Sequence, residues 1–146
     1  MMRHSLTQPR RFRWRPSARR ALCYLWASPN TLLGLLLALL ALPGGGRIRW
    51  VEGAVEAHGP LLARALWLCT GLAGGAGAMT VGHVILGRTA HSLAYHRPHE
   101  HVHVRQYERW GPLFLPAYFG SSLLAYLRGQ DPYRDNVFER EAYGRQ

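Results

Sequence analysis

The sequence predicts a small α+β domain: a short antiparallel sheet, a histidine-rich helix and a C-terminal helix carrying glutamates, behind an N-terminal apolar helix. Three observations lead there. Arg/Ile, Arg/Trp and Glu/Val alternate on two sides of a Glu-Gly turn at residues 47–59. An apolar run bounded by glycine follows at 78–87. Helix-start and helix-stop signals then frame the segments 98–110 and 137–143. At 146 residues, 48% of them hydrophobic, the chain is too apolar to be disordered throughout and too short for two full-sized domains. Two cysteines, Cys23 and Cys69, exclude a disulfide-dense module and a four-cysteine zinc ribbon, and both read as packed thiols.

Charge divides the chain into three parts. All 18 basic residues are arginine, and Arg3, Arg10, Arg11, Arg13, Arg15, Arg19 and Arg20 fall in an arginine-rich tail, 1–20, while the first acid is Glu52. Most of the formal net charge of +10 therefore belongs to that tail. It suits anionic lipid or the orientation of a membrane segment. Phe12 and Trp14 lie among the arginines, but a signal this short argues weakly for nucleic acid. An apolar segment, 21–43, comes next. Residues 21–42 are uncharged and span roughly 33 Å as a helix, close to a bilayer core. Ser28-Pro29-Asn30 interrupts that run, so a membrane anchor or re-entrant helix, a cleaved signal and a buried core helix all remain open. Pro43-Gly44-Gly45-Gly46 ends it, and residues 47–146 form the expected domain.

Within that domain, residues 47–59 read as a β-hairpin with one buried face. Residues 60–70 read as a short helix with proline near its start. The glycine-rich loop Gly71–Gly77 lacks the spacing and the lysine of a phosphate cradle. Residues 78–87 suggest one inner strand, and 88–97 a loop or short helix. Pro98 opens the next helix and Gly111 stops it at Trp110. Residues 112–128 are strongly apolar, and Pro116 and Gly120 are expected to bend or split them. After a turn, Asp135 or Asn136 caps the helix from Val137 to Tyr143.

The chemistry centres on His99-Glu100-His101-Val102-His103, which contains H-E-x-x-H. Residues i and i+4 share one helix face, so His99 and His103 can converge on one ion. Glu100 is rotated by about 100° and reaches the ion's water as a general base. His101 points away from that face. The continuation HExxHxxGxxH is excluded, because Gln106 and Arg109 stand where glycine and histidine are required. The third ligand then falls to a glutamate of the last helix, Glu139 or Glu141. Glu139 is preferred, because Ala142 shares its face and permits close packing. Gln106, Asp135 and Asn136 are candidates for orienting a ligand. His83, Tyr133, Arg134 and Tyr143 are candidates for stabilising an oxyanion.

His99-Glu100, His103 and Gln106, followed by Glu139-Arg140-Glu141-Ala142, resemble the gluzincin (HExxH…ExxA) type of zinc metallopeptidase, as in the membrane heat-shock peptidases and the CAAX-prenyl proteases. More narrowly, WASPNTLLGLLL, AMTVGHVILG, HEHVHVRQYERWGPLFLPAY and DPYRDNVFEREAY are similar to a family of short, uncharacterised bacterial proteins, over residues 26–143. The resemblance implies a minimal zincin-like domain holding Zn2+ on His99, His103 and Glu139, with Glu100 as base. It also implies that strand 78–86 lies beside an extended peptide or protein substrate. The expected setting is the bacterial inner membrane, the N-terminal segment meeting lipid and the domain lying outside the cytoplasm if that segment spans. Tyr143 stands where the heat-shock group commonly has aspartate. So short a chain also implies a minimal cleft or one completed by a partner. The competing expectation is a non-catalytic membrane protein that keeps the metal for folding or binding.

Overall fold

A computed structural model describes residues 17–69 and 75–144. The arginines of the tail up to Arg15, Phe12, Trp14, most of the glycine loop at 71–74 and the side chain of Cys69 lie outside the described residues. Helix α1 (Ala18–Ala38) leads through a 3-10 turn at Leu39–Ala41 into strands β1 (Arg47–Val51) and β2 (Ala54–His58). Helix α2 (Pro60–Cys69) follows, then β3 (Ala78–Val81), β4 (Val84–Gly87), α3 (Ala90–Trp110), α4 (Phe114–Leu127) and α5 (Val137–Gly144). The fold is α+β.

The sheet has four strands in the order β1-β2-β4-β3. It is mixed, not purely antiparallel as expected. β2 and β4 run parallel, with Val55 opposite Val84 and Ala57 opposite Leu86. The cause is α2, which carries the chain back to the start of the sheet, as a crossover between parallel strands must. The expected single strand at 78–87 is instead a hairpin. Gly82, at φ +65°, turns the chain at its middle with His83, and Thr80 pairs with Ile85. The first hairpin turns at Glu52 and Gly53, both at positive φ as a two-residue turn requires. Its β1 strand is an exposed edge, so the burial expected of the hairpin falls almost wholly on β2.

Strand alternation gives the sheet two working faces. Val84, Leu86 and Ala57 pack against Ala38, Ala41, Leu62 and Leu66 of the N-terminal segment and α2. Ala54 and Ile85, on the opposite face, pack against Leu93 and Val104 of α3. Buried Glu56 on that second face is held by Arg97 of α3 through two hydrogen bonds of 2.6 and 3.0 Å. A third cluster joins Ala27, Tyr107, Phe114 and Phe138, tying α1, α3, α4 and α5 together around the end of α3.

Three helices are longer or more continuous than their prolines suggest. α1 runs unbroken through Ser28-Pro29-Asn30, and the Asn30 amide donates to Gly111 O at 2.8 Å. α3 begins at Ala90, with the Thr89 hydroxyl accepting from Ser92 N at 3.0 Å, so Pro98 lies inside it. Tertiary contacts offset the lost backbone bond at each interior proline. α4 is one helix, because Pro116 falls in its first turn, where no backbone N–H is needed.

Candidate metal centre

The site forms where α3, α4 and α5 converge beside the edge strand β3. His99 and His103 point from one face of α3, and their Nε2 atoms are 3.1 Å apart. Glu139, in the first turn of α5, brings Oε2 to 3.2 Å from His99 Nε2 and Oε1 to 3.4 Å from His103 Nε2. One ligand atom from each residue lies within 4.8 Å of the others. All three residues are buried, Glu139 to 3% exposure.

These residues fit a metal ion on three counts. A tetrahedral ion with bonds of about 2.0–2.1 Å holds neighbouring donor atoms roughly 3.3 Å apart; the two imidazole nitrogens are 3.1 Å apart, and Glu139 sets Oε2 at 3.2 Å from His99 and its other oxygen, Oε1, at 3.4 Å from His103. Among the described residues, the buried Glu139 Oε2 accepts no hydrogen bond. Two imidazole nitrogens with a carboxylate oxygen form a donor set suited to a divalent first-row metal such as zinc or iron. The electrostatics agree. Burial works to raise the Glu139 carboxyl, but the His103 and His99 rings and the Tyr118 hydroxyl outweigh it and hold it well below the usual carboxylate range. Burial likewise opposes charge on His103, yet Glu139 and Glu100 raise its pKa overall. The site thus favours positive charge between the rings.

Neighbouring residues fix the geometry. The Gln106 amide nitrogen donates to Phe138 O at 3.0 Å and to Glu141 Oε2 at 2.9 Å. Both are acceptors, so the amide oxygen must be the atom 2.8 Å from His103 Nδ1. That nitrogen therefore carries a proton, so in the neutral ring it is Nε2 that holds the lone pair facing the site. Glu141, weighed above as a ligand, instead holds Gln106 and lies 3.5 Å from Arg109. Tyr118 of α4 donates to Glu139 Oε1 at 2.6 Å. Tyr118 lies within the strongly apolar stretch 112–128, where nothing in the sequence signals a polar task.

Glu100 sits beside the triad on α3, 4% exposed, with its Oε2 accepting from the Thr80 hydroxyl at 2.7 Å. Tyr143 lays its ring against His99, with centroids 4.6 Å apart, and its hydroxyl lies 3.3 Å from that of Tyr133. Other candidates are engaged elsewhere. Asn136 caps α5 by accepting from Phe138 N at 2.9 Å, and its amide donates to Tyr118 O and Ser122 Oγ. Asp135 accepts from Asp131 N within the preceding turn, where Arg134 N donates to Asp131. His83 lies between Thr31 and Glu108, each 3.2 Å from a ring nitrogen, and stacks on Tyr24. His101 turns toward the first hairpin, 3.7 Å from Glu52, and burial lowers its pKa.

Compared with models of protein families, with curated proteins and with solved structures, the chain matches none.

Proposed function

We propose that this protein is a membrane-associated, zinc-dependent metallopeptidase of gluzincin type, hydrolysing peptide bonds in a peptide or protein substrate. The observation that carries the reading is the convergence of His99, His103 and Glu139, with Glu100 buried on the same helix and close enough to raise the His103 pKa. Three protein ligands leave a fourth position for water, as catalytic zinc sites require. When bound, zinc supplies a Lewis acid that brings the water's pKa near 7 and polarises the scissile carbonyl. With its Oε2 held by Thr80, Glu100 would offer Oε1 as the base that takes a proton from such a water and passes it to the leaving amine. Gln106 keeps His103 in the ligating tautomer, and Tyr118 keeps Glu139 oriented. β3 is an edge of the sheet, but the carbonyl of its Thr80 already accepts from the Tyr107 hydroxyl at 3.3 Å, so an extended peptide adding to this edge would pair beyond Thr80, toward Ala78. The apolar helix α1 supplies the membrane contact.

Glu100→Gln tests the mechanism. The variant is expected to keep its metal and lose peptide hydrolysis by about 10²–10⁴-fold, the usual worth of a general base. Unchanged hydrolysis with metal retained overturns the assignment. One observation favours a second reading, a closed structural metal site: Glu100 and all three donor residues are buried. In that case chelation unfolds the domain, and Glu100→Gln alters nothing the protein does.

A further inference from the structure

α1 has two opposite faces. At 100° per residue, Ala27, Asn30, Gly34, Ala38 and Ala41 share one side, and all five are buried. The contacts there are close and partly polar. Asn30 donates to Gly111 O, the Thr31 hydroxyl accepts from His83 N at 3.1 Å, and a Cβ on Gly34 would meet Val81 O at 2.4 Å. This side is a layer of the domain's core. Leu22, Leu25, Leu32, Leu36 and Leu39 share the other side and are exposed.

α4 repeats the arrangement. Phe114 and Ala125 face inward, while Phe119, Leu123, Leu124 and Leu127 point out, Leu127 with 71% exposure. At 14 residues α4 is about 21 Å long, too short to cross a bilayer core of about 30 Å. The two helices meet where the Trp26 ring covers Gly111 and Ala27 packs with Phe114. Neither helix carries a charge between residues 21 and 42 or between 114 and 127, and the first charge beyond each end is an arginine: Arg20, Arg47, Arg109 and Arg128. An exposed apolar face bordered by arginine matches an anionic lipid surface.

We infer that the outer faces of α1 and α4 together form a bilayer-docking surface, with α1 a permanent layer of the domain and α4 inserted to interfacial depth. Lipid contact therefore extends beyond the N-terminal segment to the helix whose Tyr118 holds Glu139. The inference rests on the membrane part of the reading above and is independent of whether the centre turns over.

The test uses the full chain in a Cys23→Ser, Cys69→Ser background, with single reporters at Leu36→Cys on α1, Leu123→Cys on α4 and His91→Cys at the exposed start of α3. Each carries a polarity-sensitive fluorophore and is mixed with vesicles of phosphatidylethanolamine and phosphatidylglycerol containing nitroxide lipid. Reporters at 36 and 123 are both expected to shift to the blue and to be quenched several-fold more than the one at 91. Quenching at 36 with 123 as accessible as 91 overturns the two-helix surface and leaves α1's membrane contact standing. Reporters at 36 and 123 both as accessible as 91 overturn the membrane reading as well. Cross-linking of 123 to 123 without lipid makes the occupant a second copy and overturns the proposal. Equal partitioning into phosphatidylcholine vesicles contradicts the role given to the arginine border.

Discussion

Replacing Gln106 by methionine keeps the side chain's length and removes its hydrogen bonds. In the native protein the Gln106 oxygen accepts from His103 Nδ1, while its nitrogen donates to Phe138 O and Glu141 Oε2. In Gln106→Met nothing dictates which His103 nitrogen is protonated, so part of the population presents Nε2–H to the site. Loss of a partner that orients a metal ligand costs about 10–100-fold in metal affinity, or about 1.4–2.7 kcal/mol. Phe138 O, inside α5, loses its side-chain donor, which takes about 0.5–1.5 kcal/mol from the stability of the metal-free fold. Zinc competition against a chromophoric chelator reads the first effect and thermal unfolding with excess chelator the second. Glu141→Ala removes only one acceptor of the Gln106 amide and should fall between wild type and Gln106→Met. Zinc affinity within twofold of wild type in a folded Gln106→Met variant refutes the argument that this relay selects the ligating tautomer.

Two further perturbations probe the frame around the centre. Gly34→Ala places a Cβ 2.4 Å from Val81 O and 2.8 Å from Val84 Cβ, so overpacking is expected to cost about 1–3 kcal/mol despite alanine's better helix propensity. An unchanged melting temperature contradicts the packing of α1 on the sheet. Glu108 is held below the usual carboxylate range chiefly by its hydrogen bond with His83, which outweighs the opposing effect of burial. Its stabilisation is complete above the ordinary value of 4.5 and disappears as pH falls through the lower folded-state value. Glu108→Gln should therefore flatten the loss of melting temperature in that acid window, and an identical pH profile contradicts the contact.

What the sequence disclosed depends on how local each feature is. His99 and His103 are legible because a four-residue spacing fixes a helix face without tertiary information. The mixed sheet was within reach, since a helix expected between two strands is the signature of a parallel crossover. The hairpin hidden in residues 78–87 had one clue, Gly82 at its centre, overshadowed by the apolar residues on both sides. The interior prolines misled for a different reason. Their cost is local, whereas the contacts that offset it, Asn30 to Gly111 in α1 and Arg97 to Glu56 in α3, join residues far apart in sequence. Tyr118 was illegible as a partner of the site for the same reason, and Glu141 was legible as a candidate ligand but not as the acceptor that holds Gln106, because these contacts exist only once α4 and α5 pack against α3.

The most direct test of the central claim is the metal content of protein purified without added metal, for wild type, Glu139→Ala and Glu141→Ala. Close to one zinc per wild-type chain is expected, most of it lost in Glu139→Ala and most of it kept in Glu141→Ala. A wild-type chain that holds no metal and takes up none when zinc is supplied contradicts the account, as does a site that survives Glu139→Ala intact.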